Sequence, residues 1–325
     1  MSMADFSDLT PDRFLPALEE ALGEELDSFS RPFPSYINRV YEIRTSDEKS
    51  FVAKFYRPGR WSIDALLDEH AFLTDCVEAE IPVVAPLTLA NQQTLGNLDN
   101  IAFSVFPKRA GRQFDVEGDD SFERMGSLLG RLHTVGSRRK APARLLLTPQ
   151  TTTRIYADQL VADGVDPDNR QKFKDITNRI IDTISPYFDG LETLRIHGDF
   201  HQGNVLERPG EGLMVIDFDD MMNGPAVHDF WLLLPDHYPA CQYQLELLLS
   251  GYRQFRDIPP RSMLIIEGLR AMRMIYFTAW CNMQRNDFQF QTKFPEWGTD
   301  TFWKREVQDL QNQYTNMMDA FADRE

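Results

Sequence analysis

The apolar residues of this chain change their spacing near residue 107, and that change restricts the fold more than any other feature. From Tyr36 to Arg44 and from Ser50 to Tyr56 neighbouring side chains alternate in character around the polar turn Thr45 to Lys49, which predicts a β-hairpin. Ile81 to Leu89 and Asn100 to Phe106 read as two further strands. Between them Ser62 can cap a helix whose face is Ile63, Leu66, Leu67, His70 and Leu73, with Glu69 leaning toward the packed side. A first helix starts at Thr10-Pro11, presents Phe14, Leu15, Leu18, Ala21 and Leu22, and stops at Gly23.

Beyond Gly111 the helical period dominates: Phe122, Met125, Leu128, Leu129 and Leu132 form one face, and Phe173, Ile176, Ile180, Ile181 and Ile184 another. The chain therefore reads as α+β, with a small antiparallel sheet and one main helix in residues 1–107 and a larger, mostly helical part in residues 108–325. Pro107 to Gly111 is the expected crossing between them, and the basic stretch Ser137 to Pro149 reads as an exposed connection.

Composition removes several classes of function. A net charge of -16 and a pI near 4.8 oppose attachment to nucleic acid or anionic lipid. Cys76, Cys241 and Cys281 are odd in number and widely spaced, without CxxC or CxxH patterns, so neither a disulfide framework nor a zinc site is expected and a reducing cytoplasm fits. Met1 to Phe6 carries no export signal. The apolar segment Ser262 to Cys281 is interrupted by Glu267, Arg270 and Arg273, which suits a core helix better than a membrane span.

The segment Leu194 to Asp220 breaks the helical pattern with two short apolar strands, each ending in acidic residues. His197-Gly-Asp-Phe-His-Gln-Gly-Asn204 places Asp199 and Asn204 five positions apart, and Asp217 ends the second run. Phosphoryl transfer needs an acceptor aligned with the γ-phosphate and cations to neutralise phosphate charge. Asp199 is suited to orient an acceptor hydroxyl and take its proton. Asn204 and Asp217 offer the hard oxygen donors that Mg2+ prefers, and Asp219 and Asp220 read as turn residues. His197 and His201 lack the helical spacing of a zinc pair and read as loop-fixing residues. Lys54, in Phe51-Val-Ala-Lys-Phe55, is an ammonium in an apolar strand, where phosphate oxygens would offset its desolvation, and Glu69 is its expected partner. Ser35-Tyr-Ile-Asn-Arg-Val-Tyr41 lacks a glycine-rich loop, so the Ser35 hydroxyl is the expected ATP contact, with Asn38 and Arg39 as alternatives. The adenine is expected along Phe103 to Pro107, and no P-loop is present.

These residues resemble the aminoglycoside phosphotransferase and choline kinase superfamily, whose HGDxHxxN loop and D-F-D strand end match here. More narrowly, Ser35-Tyr36, Asn38-Arg-Val-Tyr41, Val52-Ala-Lys-Phe-Tyr-Arg-Pro58, Glu69-His70, Gly111-Arg-Gln-Phe114, Asn223-Gly-Pro-Ala226 and Arg270-Ala-Met-Arg273 are similar to the RdoA family of bacterial serine/threonine protein kinases. The resemblance implies a two-lobed, protein-kinase-like fold. It also implies an ATP- and magnesium-dependent enzyme, cytoplasmic and monomeric, that phosphorylates Ser and Thr of proteins in a stress response. It assigns Asp199 as proton acceptor, Asn204 and Asp217 to magnesium, Asp217 also to the active-site acids, and Ser35 to ATP. The residues themselves leave a small-molecule kinase open, because the same base and metal serve both acceptors. Selection between them falls to segments such as Thr151 to Gln159 and Trp231 to Tyr238.

Overall fold

The computed structural model describes residues 6, 8–35, 37–286 and 288–322. Tyr36, expected to open the first strand, and residues 1–5, read above for export signals, lie outside the described residues. The chain runs α1 (Pro11–Leu22), β1 (Leu26–Pro32), β2 (Arg39–Thr45), β3 (Ser50–Phe55), α2 (Ile63–Glu78), β4 (Gly96–Leu98), β5 (Ile101–Pro107), β6 (Arg112–Gln113) and α3 (Asp119–Gly136). It continues through α4 (Arg154–Gln159), α5 (Arg170–Phe188), β7 (Leu194–Ile196), β8 (Val205–Arg208), β9 (Gly212–Val215) and β10 (Met222–Gly224). The helices α6 (His228–Trp231), α7 (Gln242–Tyr252), α8 (Ile266–Gln284), α9 (Phe288–Lys293) and α10 (Asp300–Ala322) follow. Two compact units result. The first extends to Asp115 and takes in Ala141–Arg144 and Gln202–Asp219; the second holds Val116–Lys140, Leu145–His201 and the chain from Asp220.

In the first unit five antiparallel strands lie in the order β1-β2-β3-β5-β4. The expected hairpin is β2–β3, in which Val40 faces Lys54 and Tyr41 faces Ala53. Alternation sends Ala53 and Phe55 into a core with Phe14 and Leu18 of α1. Tyr56 instead packs with Leu66 of α2 and Leu95. α1 opens with Pro11 after Thr10, whose side chain caps nothing, and closes on Gly23 in the left-handed region (φ 69°). The Ser62 oxygen accepts from Ala65 N at 3.1 Å, so α2 begins where its cap predicts.

Two local expectations fail. Ile63 and Leu67 are exposed, and the buried face of α2 is instead Ala65, Leu66, Glu69, His70, Phe72, Leu73 and Cys76. The face is rotated because it packs around a polar centre that includes Glu69 and His70. Residues 81–89 form no strand beyond the single Val83–Val215 bridge, since Pro82 and Pro86 remove two ladder donors.

The second unit is mostly helical. α3 and α7 pack so closely that a Cβ on Gly126 would lie 1.9 Å from Leu248 O. The expected face of α5 is realised, with Phe173, Ile176, Ile180, Ile181 and Ile184 buried, and that of α3 at Met125, Leu128, Leu129 and Leu132, while Phe122 is half-buried. The Ser262 to Cys281 segment begins as a 3-10 turn over Pro260–Ile265 and becomes α8. None of the described helices is long and apolar enough to cross a membrane. The short pair β7–β10 sets Ile196 opposite Met222 and so fixes where the chain leaves for Asp199 and where it returns from Asp220.

Candidate active site

The candidate residues fall into two groups, one in each unit. In the first unit Lys54 is a β3 residue with its side chain 11% exposed, and its Nζ lies 3.2 Å from Asp217 Oδ1 and 3.2 Å from Asp219 Oδ1. Burial alone would push this ammonium down, but Asp219, Asp217 and Glu69 more than reverse it, so its pKa stands well above the ordinary lysine value. Glu69 does not make the expected contact with Lys54. Its Oε2 is 2.6 Å from Arg144 Nη2, an ion pair closed to solvent. Burial pushes the Glu69 carboxyl up, against the pull of Lys54 and Arg144.

Arg144 corrects the reading of Ser137 to Pro149 as an exposed connection. Its guanidinium also donates to Ala65 O and Asp219 O, each at 2.7 Å, and lies 4.2 Å from the Trp61 ring. Nothing in the run Arg138-Arg-Lys-Ala-Pro-Ala-Arg144 distinguishes a buried arginine from its exposed neighbours; the partner supplies that distinction. Asp219, read as a turn residue, is likewise deep. It meets Lys54, Arg60 Nη2 at 3.2 Å and Asn38 Nδ2 at 3.2 Å. Burial raises its carboxyl, but Lys54, Arg60 and Arg144 outweigh this and bring it to about 2.

Asn204 and Asp217 stand at one end of the β8–β9 hairpin. Val205 pairs with Val215, and Asn204 O accepts from Ile216 N at 3.0 Å, so the two candidate metal ligands flank the end of one ladder. Asp217 has positive φ (61°) and an exposed carboxylate, while the next residue, Phe218, turns inward against Phe72. An amide oxygen and an accessible carboxylate form a donor set that fits Mg2+. Ser35 is half-buried in the loop after β1. Asn38, an alternative phosphate contact, is engaged with Asp219 and with Arg57 N at 3.0 Å. Along the expected adenine stretch β5 pairs with β3, and Val105 O accepts from Leu87 N at 2.7 Å.

In the second unit Asp199 follows β7. Its Oδ1 accepts from Arg273 Nη2 at 2.7 Å, and His201 Nε2 lies 3.4 Å from Oδ2. Burial raises the Asp199 carboxyl, but hydrogen bonding from His201 and the charge of Arg273 hold it at about 2. The loop is fixed from behind. Asp229, fully buried, accepts from His197 N (2.8 Å), Gly198 N (2.9 Å) and His133 Nε2 (3.0 Å), while His228 Nε2 meets Gly198 O at 3.2 Å. His197 is buried edge-on against Phe200, as a loop-fixing residue should be. Gly198 cannot be replaced simply: its φ is 83°, and a Cβ would lie 2.1 Å from Asp220 O. Sequence reasoning gave Arg144, Asp229 and Arg273 no role. A carboxylate in the apolar run Val227-His-Asp-Phe-Trp231 and an arginine among the apolar residues of α8 were the available signals.

The chain is a phosphotransferase by family. Residues 30–264 match the model of the phosphotransferase enzyme family, and the chain belongs to that family. Over 311 residues it is 36% identical to stress response kinase A of Escherichia coli (strain K12), covering 93% of this chain and 92% of that relative. It is 35% identical, over the same shares, to the serine/threonine protein kinase RdoA of Salmonella typhimurium (strain LT2). Among solved structures, amicoumacin kinase hAmiN, in complex with AMP-PNP, Ca2+ and Ami, aligns with a TM-score of 0.74 at 16% identity over 93% of each chain. Spectinomycin phosphotransferase APH(9)-Ia, in complex with ADP and spectinomycin, aligns with a TM-score of 0.63 at 12% identity over 93% of this chain and 93% of its own. At those identities the structures establish the α+β kinase-like fold.

Proposed function

We propose that the chain is an ATP- and magnesium-dependent kinase of protein Ser and Thr hydroxyls, acting in a cytoplasmic stress response as a monomer. The observation that carries this reading is the similarity, over nearly the full length, to relatives named stress response kinase A and serine/threonine protein kinase RdoA. In it Asp199 accepts a hydrogen bond from the acceptor hydroxyl and receives its proton. A carboxyl near 2 is a weak base, which suits a loose transition state where bond making lags and alignment matters more than early proton removal. Asn204 and Asp217 would hold magnesium, whose chemistry is to neutralise charge on the phosphate oxygens. Lys54, charged because Asp217 and Asp219 face it, pairs with phosphate, and Ser35 adds a hydroxyl contact. Glu69 acts at one remove by fixing Arg144, which in turn holds the backbone at Asp219. The domain boundary near residue 107 belongs to this reading, with nucleotide binding before it and catalysis after it. Absent disulfides among the described residues and a net charge of -16 fit cytoplasmic work away from nucleic acid and membranes.

The test uses purified protein, labelled ATP and magnesium with an acidic model protein, a basic one, or a panel of small alcohols. Label on protein Ser or Thr that disappears in Asp199→Ala is the expected result. Label confined to the small alcohols would replace this reading with a small-molecule kinase.

A further inference from the structure

Building on the reading as a protein Ser/Thr kinase, we infer that Arg273 determines acceptor choice: it favours a hydroxyl whose neighbouring residue carries a carboxylate or phosphate and disfavours cationic acceptors. The guanidinium of Arg273 touches the base itself, 2.7 Å from Asp199 Oδ1, so any hydroxyl oriented by Asp199 arrives within a few ångströms of a permanent positive charge. One nitrogen, Nη2, serves Asp199. Among the described residues none accepts from Nε or Nη1, and the side chain is 23% exposed, which leaves donors of a rigid fork available to an incoming anion.

The fork is held in place rather than trailing in solvent. It lies 5.1 Å from the centre of the Tyr276 ring; Tyr276 packs edge-on against Tyr156 at 5.2 Å and donates from its hydroxyl to Asp220 Oδ1 at 3.3 Å. Such a platform gives an anionic neighbour a pre-positioned charged donor at little ordering cost, whereas an ammonium beside the hydroxyl meets a like charge. Tyr276 also gives the cation an aromatic face, backed by Tyr156, which suits a polypeptide segment better than a compact polycation.

The test compares two peptides identical except for Glu or Lys on either side of a single Ser. Wild-type kcat/KM is expected to favour the acidic peptide by about tenfold, the ratio that one well-placed charged contact supplies. Arg273→Gln should bring the ratio toward one, and Arg273→Lys, which keeps the charge and loses the fork, should leave an intermediate preference. Because the readout is a ratio, any common loss through Asp199 cancels. An unchanged ratio in Arg273→Gln, a wild-type preference for the basic peptide, or an equal loss on both peptides overturns the inference; the last would assign Arg273 to the shared phosphoryl group. Peptides labelled without preference sink the selection alone, whereas label only in small alcohols sinks the underlying reading as well.

Discussion

Burial would protonate Asp199, but a hydrogen bond from His201 and the charge of Arg273 outweigh it and hold the carboxylate ionised. Activity that requires the anion is lost as pH falls through its pKa. For the wild type that limb lies near 2, below the ordinary carboxylate range. Burial, with Lys54 and Arg144 nearby, lowers His70 to about 3, so the unfolded chain takes up a proton that the fold refuses, and stability declines as pH drops from about 6.5 toward that value. Removing the guanidinium leaves burial less opposed. In Arg273→Gln the acid limb of kcat/KM should therefore move up from about 2 toward the ordinary carboxylate range of about 4, part of the shift remaining because His201 still donates to the carboxylate. A pH profile identical to wild type would show that Arg273 does not set the charge of Asp199.

At the level of elements, one buried ion pair ties α2 to the polar centre of its unit. Arg144 joins Glu69 and Ala65 of that helix to the backbone at Asp219 and is closed to water, so losing it leaves Glu69 buried without its partner. Arg144→Met should cost about 3 kcal/mol of folding stability, at the low end for breaking a buried pair because Lys54 remains near Glu69. Arg144→Met combined with Glu69→Leu should recover much of that loss. Urea unfolding of the two variants checks both, and an undiminished loss in the double variant would assign the cost to packing against Trp61 instead. The same element shows what sequence can carry. Its start at Ser62 and the β2–β3 hairpin were legible because caps and alternation are local signals. Its buried face was misjudged at Ile63 and Leu67 because burial there depends on a charged centre assembled from residues 75 or more positions apart. The candidate site divides in the same way. Asp199, Asn204 and Asp217 are proposed from a motif within twenty residues, whereas Asp229 and Arg273 show in sequence only as charged groups in apolar runs, and their partners come from helix packing over longer range.

On the scale of the whole molecule, the net charge of -16 and the local charge of Arg273 act on an acidic acceptor in opposite directions. The first is a field summed over many exposed carboxylates and felt at long range. The second is a contact at a partly buried guanidinium. Salt separates them, since at about 0.1 M charges more than about 10 Å apart are largely screened while partly buried contacts are screened much less. At low ionic strength the global field should slow encounter with a Glu-flanked peptide and speed that with a Lys-flanked one, compressing the preference that Arg273 creates. Raising salt from about 0.01 M to about 0.15 M should therefore increase the ratio of kcat/KM for the acidic over the basic peptide in the wild type. In Arg273→Gln the same change should move the ratio from below one up to about one and no further, because only the field is left to screen. If the wild-type ratio instead fell with salt, the acidic preference would itself be long-range, and the site near Asp199 would have to carry a broader positive surface than one arginine supplies.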